Sequence, residues 1–181
     1  HAVIVGGDEI SYGQRPLQVK SDVGSSKSWR EHMLRQVQLD PTRTHFMGHL
    51  PRDQYLRVLQ MSDAHVYLTY PFVLSWSLLE AMACGTPIVA SNTAPVREVM
   101  RDGINGRLVD FFDIEAIAEA AVSTMRSDNA NVKLRMQAMA DVQRYGLGAG
   151  LSGYDDLLGL NHESANWTSV RNELLMGEVS R

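Results

Sequence analysis

Short apolar segments alternate with amphipathic segments along this chain, and this alternation restricts the fold more than any other feature of the sequence. Apolar, β-branched runs closed by glycine or a polar turn are typical of strands that are buried on both faces. Because a helical segment follows each of these runs, parallel β-α-β units are expected. The predicted strands are residues 2–5, 44–47, 64–69, 88–91 and 106–109.

Several helix boundaries are marked by their own residues. Ser28 and Glu31 have the spacing of a capping box, in which a serine caps the helix and a glutamate follows three residues later. Pro41 stops the first helix, and Gly85 suits the left-handed turn that follows a helix. The predicted helices run from Ser28 to about Leu39 and over residues 52–61, 75–84, 94–100, 114–125, 131–145 and 151–160.

The expected fold class is therefore α/β, with a Rossmann-like, doubly wound parallel sheet. Crossovers between parallel strands are right-handed, which places helices against the faces of such a sheet. Ligands of these sheets bind beyond the carboxyl ends of the strands. A site is consequently expected in the loops that follow Val5, Met47, Thr69, Ser91 and Val109.

The composition argues against several classes of protein. With a formal net charge of −4 and no block of lysine or arginine, the chain is not expected to bind nucleic acid. The single cysteine, Cys84, allows no internal disulfide, fits a reducing compartment and is interpreted as a small core residue. No run reaches the roughly 18 apolar residues of a membrane-spanning helix. The first residues resemble a strand rather than a signal peptide, so we expect the fold to include sequence before His1.

Residues 68–89 form the segment richest in chemistry, because a strand, a loop and a helix start follow one another there. Ser75 and Ser77 lie where the loop becomes a helix. Exposed backbone amides at a helix start, together with the helix dipole, favour an anion such as a phosphate. The alternative interpretation is that Ser75 only caps the helix.

Glu80 is the second candidate, because it lies in an otherwise apolar helical segment. A carboxylate in such a position either faces solvent or is kept for hydrogen bonds, since unpaired burial is costly. A ribose diol is a suitable partner, because one carboxylate can accept hydrogen bonds from both hydroxyls. Exposure on the outer face of the helix is the alternative.

Other polar residues carry weaker signals. Asp8 and Glu9 follow a strand and either face a cleft or form a solvated turn. His45, His49 and His65 are close in sequence, but their spacing is not that of a zinc site on one helix. No metal site is therefore predicted.

The segment 79–90 closely resembles the signature of glycosyltransferase family 4, whose members are retaining enzymes with the GT-B fold. The match includes Glu80, the Ala-Met-Ala that follows it, Gly85, and the strand that begins at Pro87. Other segments resemble further motifs of the same family in the same order. They are residues 45–51, 62–66, 95–99 and 102–109, so that the resemblance covers roughly residues 2–158.

This resemblance implies a site for a nucleoside diphosphate sugar, linked to UDP or GDP, with no separate cofactor. The glutamate matched by Glu80 binds the ribose of the nucleotide in the family. Backbone amides at the start of the same helix hold the diphosphate, and a glycine turn lies beside the base. The implied binding residues are Glu80, Ser75, Trp76, Ser77, Thr69, Gly48, His49 and Leu50.

One departure from the family concerns the transferred sugar. The family carries a first glutamate eight residues before the one matched by Glu80, and Phe72 occupies that position here. Phenylalanine cannot accept hydrogen bonds from a sugar, so the donor sugar and the activity itself stay open, and no catalytic residue is assigned. The family's glycine-rich turn is also replaced, by residues 73–76. Core packing is the alternative interpretation of both Phe72 and Trp76.

The resemblance also implies a domain organisation. Residues 1–160 would be the C-terminal, nucleotide-sugar-binding domain of a GT-B enzyme that lacks its first β-α unit, and residues 161–181 a helix or flexible tail. The basic residues that hold the donor diphosphate in the family would precede His1, as would the acceptor-binding domain. The chain alone would therefore be inactive.

The full enzyme would transfer a hexose to a saccharide or lipid-linked acceptor. It would act in the cytoplasm or at the inner face of the membrane, with peripheral membrane association. Two alternatives remain open: a GT-B sugar-nucleotide epimerase, and a non-catalytic nucleotide-binding module.

Overall fold

The computed structural model describes residues 1–9, 28–69, 73–126 and 129–159, in which strands and helices alternate. The strands are β1 (Ala2–Val5), β2 (Thr44–Gly48), β3 (His65–Tyr67), β4 (Ile88–Ser91) and β5 (Arg107–Val109). The α-helices are α1 (Trp29–Leu34), α2 (Arg52–Met61), α3 (Trp76–Ala83), α4 (Ala94–Arg97), α5 (Ile114–Thr124), α6 (Asn129–Asp141) and α7 (Leu147–Leu158). A 3-10 helix, Val142–Tyr145, lies between the last two. The predicted α/β class is confirmed.

The first of two compact units comprises His1–Leu59. Its strands β1 and β2 pair in parallel, with Ile4 opposite Phe46. The register then shifts, so that Val5 lies opposite Gly48, whose φ of 64° suits a glycine at the strand end. The prediction of a buried first strand was wrong, because most of β1 is exposed and β2 is its single paired neighbour among the described residues.

The second unit begins at Gln60 and contains the other three strands. They are all parallel and lie in the order β3-β4-β5, which places β4 in the centre. All four residues of β4 are buried, as the continuous apolar run predicted. Helix α5 packs on β4 and β5, and α3 packs against α6 and the 3-10 helix.

One face of α3 supplies much of the core of this unit. Leu78, Ala81 and Met82 lie at helical spacing and are fully buried. Burial of a leucine or methionine side chain stabilises a fold by about 1.5–3 kcal/mol. Because these residues share one face, the opposite side of α3 is available for other contacts.

The Asp-Gly-Ile-Asn-Gly sequence at residues 102–106 forms the loop before β5, and its residues are suited to a tight turn. The carboxylate of Asp102 accepts a hydrogen bond from the amide of Leu108 at 2.8 Å. Gly103 has a φ of 68°, a left-handed conformation that favours glycine. A Cβ on Gly106 would collide with the side chain of Met100. This motif therefore builds a tight loop.

Asn105 ties that loop to the end of α6. Its buried side chain accepts from the amide of Arg101 at 2.7 Å and donates to the carbonyl of Val99 at 3.1 Å. It also donates to the carboxylate of Asp141 at 2.7 Å. Burial alone would raise the pKa of Asp141, but hydrogen bonds from Arg101, Gln137 and Asn105 outweigh it and lower that pKa.

Several element boundaries differ from those predicted, for local reasons. Helix α1 ends at Leu34 rather than near Leu39, because the amide of Gln36 donates to the carbonyl of Met33 and tightens the last turn. The predicted helix 131–145 is α6 followed by the 3-10 helix. Helix α7 begins at Leu147 rather than at residue 151, because the glycines after Tyr145 are accommodated inside it.

The remaining differences are smaller. Strands β3 and β5 are shorter than predicted, and α4 ends at Arg97 rather than at residue 100. Residues 161–181, predicted as a helix or tail, lie outside the described residues. Among the helices that the structure describes, none has both the length and the apolarity needed to cross a membrane.

Candidate functional site

The connection between β3 and α3 is fixed at its first end by a serine of the neighbouring strand. The hydroxyl of Ser91, at the carboxyl end of β4, donates to the carbonyl of Thr69 at 3.0 Å. The same hydroxyl accepts from the amide of Thr69 at 3.1 Å. A side chain thus replaces the backbone partner that would have extended β3, which is why β3 stops at Tyr67 and not at the predicted Thr69.

The second end of the connection is fixed by a buried tyrosine. The hydroxyl of Tyr67 accepts a hydrogen bond from the amide of Ser75 at 2.9 Å. Because Tyr67 belongs to β3, the start of α3 is held against the carboxyl end of its own preceding strand. Neither Tyr67 nor Ser91 was singled out from the sequence. Their contacts require the register of neighbouring strands, which the local pattern does not give.

The start of α3 has the form of a helix cap. Ser75 is extended, and its hydroxyl accepts from the amide of Ser77 at 3.3 Å. The two serine hydroxyls lie 3.0 Å apart. The interpretation of Ser75 as a helix cap is therefore confirmed. The amides of Ser75 and Ser77 thus already donate to hydroxyl groups, and a phosphate bound here would replace these contacts. The helix dipole still favours an anion at this end of α3.

Glu80 lies one turn further along α3 and is half-buried. Residues three and four apart are neighbours on a helix surface, so Glu80 lies beside Ser77 and Trp76. Helical side chains lean toward the N-terminus, which directs this carboxylate toward the start of α3. A carboxylate and a set of amides thus lie along one side of one helix.

Trp76 is the first residue of α3 and is 82% exposed. The interpretation of Trp76 as a core residue was wrong. The buried face of α3 contains Leu78, Ala81 and Met82, and the first helical position points away from it. Phe72, interpreted in the same way, lies outside the described residues.

The carboxyl ends of β1 and β2 bring a further predicted set together in the first unit. Gly48 ends β2, and its carbonyl accepts from the amide of Gly6 at 2.9 Å. His49 is exposed, Leu50 is half-buried, and the His49 ring nitrogen Nε2 lies 3.3 Å from the carboxylate of Glu9. The pKa of Glu9 is lowered mainly by a hydrogen bond between its carboxylate and the backbone, and secondly by the hydrogen bond with His49.

The polar residues after β1 therefore have identified partners. Asp8 forms a salt bridge of 2.7 Å with Arg30 of α1. Glu9 contacts the residue predicted to lie beside a base, but its side chain is 82% exposed, as that of a residue in a solvated turn would be. The sequence indicated both acidic residues but not these partners, which become neighbours only when β1 and β2 pair.

A cation at the carboxyl end of β4 was missed from the sequence. The guanidinium of Arg97 donates to the backbone carbonyl of Asn92 at 3.1 Å and to its side-chain oxygen at 3.0 Å. Arg97 is exposed and follows the strand that contains Ser91. The sequence signal for Arg97 was its position in the segment 95–99, which resembles a motif of the family.

Other polar clusters do not form a metal centre. Within residues 1–9, 28–69, 73–126 and 129–159, no three histidine, cysteine or acidic side chains are grouped so as to hold a metal ion. His45 stacks on His1 with ring centroids 5.3 Å apart, whereas His65 lies in β3. Cys84 is half-buried at the end of α3.

Comparison with known families identifies the chain. The family model described as glycosyl transferases group 1 matches residues 2–141, which is more than half of the sequence. The chain belongs to the group 1 glycosyltransferases. The resemblance stated from the segment 79–90 is thereby confirmed at the level of this family.

Curated relatives of this group 1 glycosyltransferase include two mannosyltransferases. A phosphatidyl-myo-inositol mannosyltransferase of Mycobacterium leprae (strain TN) is 43% identical over 68 residues, which cover 38% of the chain and 18% of the relative. The O-antigen chain mannosyltransferase B of Escherichia coli is 24% identical over 122 residues, which cover 66% and 32%. The chain thus spans about a third or less of the length of these relatives.

Solved structures confirm the fold of the group 1 glycosyltransferase chain. Anabaena Alr3699/HepE in complex with UDP and glucose has a TM-score of 0.63 at 19% identity, with 72% of this chain and 35% of that chain covered. The C-terminal domain of a group 1 glycosyl transferase from Francisella tularensis has a TM-score of 0.55 at 21% identity, with 65% and 60% covered. The Rossmann-like class predicted from the sequence is therefore confirmed.

Proposed function

We propose that the chain is the donor-binding part of an enzyme that transfers a hexose from a nucleoside diphosphate sugar to an acceptor. The observation that carries this proposal is the arrangement along α3, where Glu80 lies one turn from the amides at Ser75, Trp76 and Ser77. Structurally similar proteins have been solved in complex with UDP and with UDP-glucose, which supports a nucleotide sugar as the ligand.

In this proposal the two polar features of α3 have separate roles. The carboxylate of Glu80 accepts hydrogen bonds from the ribose hydroxyls. The amides at the start of α3 bind the diphosphate, those of Ser75 and Ser77 in exchange for their hydroxyl acceptors. Thr69, two residues after the end of β3, lies on the approach to this site in the proposal. The family resemblance alone assigns Gly48, His49 and Leu50 to the base.

The chemistry depends on the diphosphate, which leaves the sugar with a developing negative charge. Fixed amides aimed at such charge lower the barrier, because they need no reorganisation during the reaction. Family resemblance supports retention of the anomeric configuration. In the family, basic residues on an earlier strand and helix supply part of the charge stabilisation. On this proposal the 181-residue chain binds the donor without transferring its sugar.

The acceptor and the location are inferred more broadly. The acceptor is a saccharide or a lipid-linked molecule, as the names of the curated relatives suggest. The full enzyme is placed in the cytoplasm, with peripheral association at the inner face of the membrane for a lipid-linked acceptor. The single cysteine of the chain fits this reducing compartment.

A second candidate function is a nucleotide-binding module without catalysis. Phe72 favours it, because this residue stands where the family carries a glutamate that contacts the transferred sugar. Donor turnover by the full-length protein separates the two functions. Binding with turnover supports the transferase, and binding without turnover supports the module.

The nucleotide site is tested by calorimetric titration of the chain with UDP and GDP, before and after Glu80→Gln. Hydrogen bonds to a charged group contribute about 1.5–3 kcal/mol, so the substitution is expected to weaken nucleotide binding about tenfold or more. Glu98→Gln is the matched control, since Glu98 is an exposed glutamate at the end of α4. Absence of nucleotide binding, or equal affinities in all three proteins, contradicts the site assignment.

A further inference from the structure

The side chain of Trp76 is unusual in its exposure. The residue is 82% exposed, although a tryptophan buried in a core would contribute substantially to stability. The fold does not use this ring for packing, because Leu78, Ala81 and Met82 on the other face of α3 provide the buried surface. A large apolar ring is therefore presented to solvent at the first position of the helix.

The neighbours of Trp76 are the polar groups of the proposed diphosphate site. Ser75 precedes it as the helix cap, and Ser77 follows it with a hydroxyl 3.0 Å from that of Ser75. The backbone amide of Trp76 is itself one of the first-turn donors. A ligand whose phosphate meets these amides must place its next chemical group close to the indole.

The position of Glu80 determines which part of the ligand lies next to the indole of Trp76. Glu80 lies one turn toward the C-terminus of α3 and takes the ribose in the proposed function. The ribose and base then extend from the diphosphate on the Glu80 side. The opposite end of the diphosphate, which is joined directly to the hexose, is left at the start of the helix.

We propose that the indole of Trp76 stacks on the donor hexose and contributes to the choice of donor. A hexopyranose presents C–H groups on its ring faces and hydroxyls at its rim. The face of an aromatic ring carries partial negative charge and attracts such polarised hydrogens. The inference rests on the proposed function and extends it, since it gives Trp76 a side-chain role toward the sugar.

The test compares a nucleotide with its sugar-linked form. The chain is titrated with UDP and UDP-glucose, and in parallel with GDP and GDP-mannose. The sugar nucleotide is expected to bind more tightly than the matching nucleotide, and Trp76→Ala, which keeps the backbone amide, is expected to lower the ratio of the two affinities about tenfold. Trp76→Phe keeps an aromatic face and is expected to retain part of the difference.

Trp29→Ala is the matched control, because Trp29 is another partly exposed tryptophan, 41% exposed, in α1 of the first unit. It is expected to change neither affinity. A spectroscopic readout uses Trp29→Phe combined with Trp167→Phe, which leaves Trp76 as the only one of the three tryptophans. The sugar nucleotide is expected to shift the emission of Trp76 to shorter wavelength more than the nucleotide does.

The outcomes separate this inference from the proposed function. If neither nucleotides nor sugar nucleotides bind, the proposed function fails and the stacking role fails with it. If the nucleotide binds through Glu80 but Trp76→Ala leaves the sugar-dependent difference intact, only the stacking role is overturned. If Trp76→Ala weakens nucleotide and sugar nucleotide equally, the indole contacts the nucleotide, and the hexose assignment is wrong.

Discussion

Replacement of Asn105 by alanine is the sharpest test of how the second unit is held together. The side chain is 1% exposed and makes three hydrogen bonds, at distances of 2.7, 3.1 and 2.7 Å. They join the amide of Arg101, the carbonyl of Val99 and the carboxylate of Asp141. Alanine removes all three and supplies no replacement donor or acceptor.

The magnitude follows from these partners. Each neutral hydrogen bond contributes about 1 kcal/mol and the one to a carboxylate about 1.5–3 kcal/mol, so we expect Asn105→Ala to lower the free energy of unfolding by about 3–4 kcal/mol. The contribution of Asp141 lies at the low end of its range, because Arg101 and Gln137 still donate to that carboxylate. Domains are stable by only about 5–15 kcal/mol, so the loss is a large fraction of the total.

Urea unfolding followed by circular dichroism measures this effect. With a urea dependence of about 2 kcal/mol per molar, the midpoint is expected to fall by about 1.5–2 M. Asn92→Ala is the matched control, because Asn92 is exposed and its backbone carbonyl still accepts from Arg97 after the change. Exposed substitutions of this kind change stability by about 0.5 kcal/mol or less.

Hydrogen exchange gives a local check of the same change. The amide of Arg101 donates to the side chain of Asn105, so its exchange is expected to accelerate more than that of other loop amides in the variant. A midpoint shift equivalent to less than about 1 kcal/mol, with unchanged exchange at Arg101, would refute the assignment of Asn105 as a structural tie.

Two further predictions concern pH and backbone conformation. Burial lowers the pKa of His65, so the unfolded state binds more protons, and stability is expected to fall as the pH drops below the unfolded pKa of about 6.5, by at most about 1.4 kcal/mol per pH unit. Unfolding midpoints of wild type and His65→Leu between about pH 7.5 and about pH 5.5, one unit on each side of that pKa, test this, and equal pH dependence would disprove it. Gly85→Ala and Gly103→Ala are expected to share a strain of about 1 kcal/mol, because their φ angles are 66° and 68°. Gly85→Ala should lose more, since its Cβ would lie 2.7 Å from the sulfur of Met139, and equal unfolding midpoints would contradict this contact.

Local features of the sequence were sufficient for much of the secondary structure. The continuous apolar run of β4 predicted a strand buried along its whole length, and α2 has the bounds that its pattern indicated. The caps at Ser28 and Ser75 were also visible, because a serine at a helix start acts on an amide two or three residues away. These signals depend on neighbours in sequence alone.

The features that the sequence did not reveal depend on residues far apart in the chain. The hydrogen bonds between Ser91 and Thr69 join residues 22 positions apart in the sequence, and the one between Asn105 and Asp141 joins residues 36 positions apart. Trp76 was misjudged because hydrophobicity alone does not tell which side of a helix packs. The family resemblance indicated the segment 102–109 but not its structural role, which depends on the hydrogen bond between Asn105 and Asp141 of α6.

The two contacts that hold the connection between β3 and α3 have a consequence for redesign. Ser91 holds Thr69 and Tyr67 holds Ser75, so both ends of the connection are hydrogen-bonded to side chains of the sheet. Five sequence positions, 70–74, separate these two anchored residues. Substitutions at these positions are expected to leave both anchors in place, whereas insertions or deletions between them are expected to strain both.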